Sequence, residues 1–358
     1  MQVTLSHCSK KNEHTFIPKK EHIIKKEISS VFDLVDQFKV KKYSEIASCN
    51  GFHFSSSKKI YFTNLFARAI FQTEEPFDSC KKIGTNGKGP YEYLTPYYLS
   101  ITKNSIYFTD LNNPLVKYLP LNNPLNNKQI FQIALLSGAQ KFIVRDNLIY
   151  ILNTKSPLLL IKSVNYNRTL KKMITYNQYY DIINTKSHGG GIVFDKRGNL
   201  YISNTVPYRI YKILKTDNDY VLKAEWNFEK KLDFPFWNKR EYDNYIKDDF
   251  RKKRNIFNSI AKIINLLIIG TKDEYLFVHL NVNNTNFYQI IDLNGNLIIS
   301  FKSTNKLLLG GHENILYFLD FHNKGGDYYK ILKYKFFKEN LYDSTNVLSS
   351  LPTKESKK

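Results

Sequence analysis

The chain is short of the residues that staple or hinge a fold. Its three cysteines stand at positions 8, 49 and 80 of 358 residues, and an odd number gives no disulfide framework. Glycine is scarce at 15, so asparagine must take many turn positions instead. No run approaches the roughly 18 apolar residues of a membrane-spanning helix. No H-x-E-x-H or other close pair of metal ligands occurs, and no Ser–His–Asp or Cys–His arrangement can be argued from spacing. Arginine is rare too: eight of the 53 basic residues, the rest being lysine.

Positive charge is abundant, at a formal +21. Such a charge attracts polyanions in a salt-sensitive way. Specific base and phosphate recognition favours the two-pronged arginine fork, so a lysine-dominated excess predicts no specific nucleic-acid site. Lysine, asparagine, isoleucine, tyrosine and phenylalanine are enriched together, the composition of an AT-rich coding sequence. Hydrophobic residues make up 42% of the chain, with 26 Tyr and 25 Phe, which suit pleated, half-buried surfaces.

One short phrase returns six times: IYFTN at Ile60–Asn64, IYFTD at Ile106–Asp110, IYILN at Ile149–Asn153, LYISN at Leu200–Asn204, YLFVH at Tyr275–His279 and LYFLD at Leu316–Asp320. The start-to-start steps are 46, 43, 51, 75 and 41 residues. A period of about 40–50 with strand-type content marks a β-propeller, each repeat forming one four-stranded blade. The fold class expected is therefore all-β, a six-bladed β-propeller with a short helical insertion between blades 4 and 5. The fourth repeat runs GGIVFD, LYISN, YRIYKIL and VLKAEW between Gly190 and Trp226. The sixth has no evident outer strand after Phe337, so an N-terminal strand should close the ring. Residues 1–28 are expected as a tether that can supply this strand, with Gln37–Tyr43 a second stretch preceding blade 1. The propeller is expected over 29–340 and a loose polar tail over 341–358.

The 75-residue step holds about 30 extra residues between Asn227 and Ile264. There Tyr242, Tyr245, Ile246, Phe250, Phe257, Ile260, Ala261 and Ile264 fall on helical spacing, around the basic run Arg251–Arg254. An insertion at about 234–264 is expected on the loop-rich face, either packed across the blade tops or serving as a lid or docking element.

The segment Ile83–Tyr93, with Gly87-Lys88-Gly89-Pro90-Tyr91-Glu92-Tyr93 at its heart, resembles the G-x-G-P-G-E-[FY] signature of bacterial six-bladed, NHL-like β-propellers. GIVFDKRGNLYISN at Gly191–Asn204 is similar to the NHL strand pattern. The resemblance covers about Gly51 to Phe337 and departs at Tyr91, where the family has glycine. It implies that second strands end where binding loops gather. Asn64, Asp110, Asn153, Asn204, His279 and Asp320 would then form a ring of equivalent positions that either cap their strands or bind a polar ligand. Some such propellers are metal-dependent lyases or lactonases; under that alternative His188, His279 and His322 would hold a divalent metal. His53, within a strand, reads as structural. No other cofactor is expected.

The leading expectation is a non-catalytic, monomeric binding module for an unknown protein or small polar ligand. Leu5-Ser6-His7-Cys8 resembles a bacterial lipobox without its hydrophobic segment. Cys8 is either an ordinary thiol, in a cytoplasmic protein, or a lipidated cysteine whose leader lies upstream. The second is expected because the family leans toward exported proteins, and it places the chain in the cell envelope with the lipid as its membrane contact. Cys49 and Cys80 could pair in an oxidising compartment.

Overall fold

The repeated phrase is apolar almost throughout because it is covered on both sides. Phe62, Phe108, Tyr150, Tyr201, Phe277 and Phe318 are fully buried, one in each repeat. They lie on second strands, which sit mid-sheet in blades that stack face to face around a ring. A strand covered on both faces reads as a continuous hydrophobic run rather than an alternation. The resulting computed structural model is a six-bladed β-propeller. It describes residues 15–16, 25–26, 28–42, 44–89, 92–111, 113–121, 133–134, 139–153, 156–164, 169–175, 189–217, 219–228, 239–303, 305–321 and 327–341.

Each blade is an antiparallel meander. The inner strands of blades 1 to 6 are His53–Phe54, Pro96–Ile101, Ala139–Arg145, Gly191–Phe194, Lys262–Ile269 and Lys306–His312. Apolar clusters fill the joints between neighbouring blades, so the core is a ring of packed seams rather than one central mass.

Blade 6 is closed from the other end of the chain. Phe32–Lys41 runs antiparallel to Tyr328–Phe336, pairing Phe32 with Phe336 and Lys41 with Tyr328. The closing strand thus overlaps Gln37–Tyr43 and lies beyond residues 1–28, where the tether was expected to supply it. Within 1–28, Thr15–Phe16 and Lys25–Lys26 instead add short parallel edges to blades 4 and 5. Phe32 explains the choice: it is fully buried and meets the rings of Phe277, Phe301 and Phe336.

The insertion is two helices, α1 (Lys239–Lys247) and α2 (Phe250–Ser259). Asp249 caps α2, accepting from the Lys252 amide at 2.9 Å. The helical spacing read through Ile264 overruns the helix. Ile260 is already extended, and Lys262–Ile269 is the inner strand of blade 5, with Ile263 buried in the blade seam. Tyr245 and Ile260 pack on Val206 in the blade 4 turn. The Asn283 amide of the blade 5 turn donates to the Asn258 carbonyl at 3.0 Å. The insertion therefore lies across the loop-rich ends of blades 4 and 5, with Lys252 and Arg254 exposed.

The glycine loop between blades 1 and 2 is held by charge-assisted bonds. Glu92 accepts from the Gly89 amide at 2.7 Å, and the fully buried Lys117 donates to the carbonyls of Gly89 and Glu92 at 3.0 and 2.8 Å. Tyr93 donates to the Ile83 carbonyl at 2.6 Å. Pro90 and Tyr91, where the family departure falls, lie outside the described residues.

Candidate functional site

The inner strands leave a central channel, and their exposed edges line it. Its main cavity, about 400 Å³, runs from Asn50 and Lys141 at the loop-rich end to Arg145 and His312 at the other. A second cavity, about 240 Å³, adjoins at the loop-rich mouth and shares Asn50, Tyr98, Lys141 and Asn265 with the first. The main cavity falls within the usual range of small-molecule sites.

Lys141 stands at the junction of the two. Its ammonium crosses from blade 3 and donates to the Gly190 carbonyl at 2.9 Å, the Ile264 carbonyl at 2.7 Å and Asn265 Oδ1 at 3.2 Å. It also lies 5.8 Å from the centre of the Tyr98 ring. A run of glycines makes this cage possible. A Cβ on Gly190 (φ +84°) would come within 2.6 Å of the Ser203 carbonyl oxygen, and one on Gly191 within 2.5 Å of Leu266. Only bare backbone fits so close to blade 5.

Burial lowers the Lys141 amine to about 7, against the pull of its three oxygen acceptors. The neighbouring imidazoles are kept neutral. Burial, then the Lys141 charge, lowers His53 to about 4. Burial lowers His279 to about 4 as well, opposed by its bond to Asn286 and reinforced by Lys141. Tyr98 is pushed well above its ordinary value by burial, so it remains a neutral phenol.

At the far end Arg145 lies over the Phe194 ring at 4.8 Å, and His312 stacks on Phe54 with ring centres 5.8 Å apart. Asp146 stands 3.8 Å from Arg145 Nε, but the same carboxylate oxygen is 3.2 Å from Lys215. Among the described residues that line the two cavities there are lysine, arginine and histidine but no aspartate or glutamate.

The strand-end residues are differently engaged. Asn64 donates to the Glu45 carbonyl and accepts from the Ala67 amide, both at 2.8 Å. Asp110 accepts from the amides of Leu94 and Thr95 at 2.6 and 3.0 Å. Asn153 donates to the Pro157 carbonyl at 3.3 Å, and Asn204 to the Asn153 carbonyl at 3.4 Å. Asp320 pairs across the sheet with Lys306 and Lys330. His279 accompanies Lys141 at the mouth cavity, bonded to Asn286 at 3.0 Å and stacked on Tyr288. His188, His322 and Cys8 lie outside the described residues. Cys49 and Cys80 are free thiols. Among the described residues, no group of three or more metal-ligating side chains gathers, and no helix is long and apolar enough to cross a membrane.

Lys141, Arg145 and Asn265 were not among the residues singled out from the sequence, and His53, read there as structural, lines the channel. The signal available was positional: charged residues on strands that begin blades, whose edges face the axis.

No family model matches the sequence, and no curated protein does. Among solved structures the chain is similar to a Bacteroides fragilis protein inferred to be exported, with a TM-score of 0.60 and 12% identity over 87% of this chain and 97% of that one. It is more distantly similar to virginiamycin B lyase from Staphylococcus aureus, with a TM-score of 0.46 and 13% identity over 80% of each chain. At these identities the likeness is one of fold.

Proposed function

We propose that the protein is a binding module that takes a small anionic molecule into its central channel, with Lys141 as the charge that holds it. The observation that carries this is the cation without a counter-ion. Lys141 sits in the channel on neutral acceptors alone, and no carboxylate is found among the described lining residues. A buried charge is costly unless paired, and an incoming anion would supply the pair. The loop-rich mouth, flanked by α1 and α2 and walled by His279, is the entry this reading favours. The strand-end residues would hold the loops around it.

The NHL-like signature, the lipobox-like Leu5–Cys8 segment and a fold neighbour inferred to be exported favour a place in a bacterial envelope, with Cys8 as the lipid attachment point. A metal-dependent enzyme would have to draw ligands from His188 and His322, outside the described residues, beside His279, whose Nε2 is engaged with Asn286.

Thermal shift and calorimetry with phosphate, sulfate, acetate, succinate and octanoate test the proposal. A ligand at a hundred times its Kd stabilises the folded state by about 2.7 kcal/mol, a readily measured shift. The expected result is saturable binding of at least one anion, weakened about tenfold or more by Lys141→Met. Absence of any anion-dependent shift, or undiminished binding by a folded Lys141→Met variant, would overturn it.

A further inference from the structure

We infer that the ligand is a linear molecule with an anionic group at each end and an apolar middle, spanning the channel from Lys141 to Arg145. This rests on the anion reading above and adds the class of molecule. Lys141 and Arg145 are four residues apart on one strand, and both reach blade 4. At the rise of an extended chain their backbones are separated by about 13 Å. Both line the same cavity of about 400 Å³.

Blade 4 repeats the spacing. Gly190 receives the Lys141 ammonium, and Phe194 lies under the Arg145 guanidinium. Between these polar ends the two strands present Ile143 and Ile192, and blade 5 adds Leu267, all in the cavity wall. The channel is thus cationic, then aliphatic, then cationic. A single small anion would use one end and leave the aliphatic waist to water. A chain with one charge would bring an uncharged end to the guanidinium. Only a two-ended anion matches both charges and covers the waist. Arg145 keeps positive character because Lys215 lies closer to the shared carboxylate of Asp146.

The test is calorimetric titration of the full chain with succinate, adipate, octanedioate, decanedioate and dodecanedioate, each beside the monocarboxylate of equal length. Affinity should peak at octanedioate or decanedioate, about tenfold or more above the matching monocarboxylate, since a charge-assisted contact is gained. Arg145→Gln, on a partly exposed side chain, should erase that advantage, bringing each dicarboxylate down to the affinity of its matching monocarboxylate. The two-ended reading is overturned if dicarboxylates are no tighter than monocarboxylates at every length, or if Arg145→Gln weakens both equally. If neither series binds while phosphate or sulfate does, only the two-ended reading fails; if no anion binds at all, the underlying channel reading fails with it.

Discussion

Lys141 donates to the backbone carbonyl of Ile264 at 2.7 Å, joining blade 3 to blade 5 across 123 residues of sequence. One side chain thus crosses the loop-rich end of the channel and fixes the charge there. The contact makes the charge at the channel's loop-rich end depend on a single ammonium, and that dependence is measurable.

Anion affinity should be greatest below pH 7 and fall as the solution is made alkaline. Burial brings the Lys141 amine to about 7, so its charge disappears above that value unless an anion holds the proton. The groups packed around it do not compensate. His53 and His279 are neutral above about 4, Tyr98 is a neutral phenol, and Asn265 has no charge to lose. Well above the amine's value the apparent Kd should rise about tenfold per pH unit. Calorimetry between pH 5.5 and 9 measures it, and Lys141→Arg, always charged, should flatten the curve. A level wild-type profile would place the anion elsewhere.

Acid should weaken the fold before it reaches most carboxylates. The two channel-side imidazoles have folded values near 4 against 6.5 when unperturbed. The unfolded chain therefore binds protons that the folded chain refuses. Stability from this source is complete above pH 6.5 and drains away as pH falls toward 4, by up to about 1.4 kcal/mol per unit for each histidine. Urea denaturation at pH 7, 6, 5 and 4.5 tests this, with His279→Gln expected to lessen the slope. Equal slopes in the variant and wild type would exclude His279 as a source.

Lys117→Met should loosen the joint between blades 1 and 2. The buried ammonium serves two carbonyls, Gly89 and Glu92, and each unsatisfied buried group costs about 1–3 kcal/mol. A loss of several kcal/mol in urea denaturation is expected. Unchanged stability would show that the glycine loop stands without this anchor.

Phe32→Ala should cost about 3–5 kcal/mol, the usual penalty for a large cavity in a packed core. The ring is fully buried among three other phenylalanines at the blade 5–6 seam. Because it lies on the closing strand, amide exchange of Tyr328–Phe336 should accelerate more than that of blade 3. Uniform acceleration would mean that the ring opens as one unit.

The blades were legible because the second strand is sandwiched between neighbours, and that burial repeats the same apolar phrase six times. The 75-residue step showed the insertion, although the apolar Ile260–Ile264 stretch extended the helical spacing into a strand. The closing strand was inferable from what blade 6 lacks, but its register depended on Phe32, whose value lies in contacts about 245 to 304 residues away in sequence. The channel was not legible. Its lining belongs to inner strands, which repeat weakly because each faces the axis with a different side chain. Lys141 carries no mark that separates it from 44 other lysines; only the convergence of Gly190, Ile264 and Asn265 upon it does.

Closure by Phe32–Lys41 also sets an order of events during synthesis. The partner strand Tyr328–Phe336 is the last of the described strands to emerge. Until then the closing strand has nowhere to dock, and blade 1 stands beside an open gap. Completion of the ring must await synthesis of that partner, and such long-range pairing is slow and exposes unpaired edges meanwhile. The lysines of that strand, Lys39 and Lys41, keep its edge charged during the wait, a common protection against misplaced strand pairing.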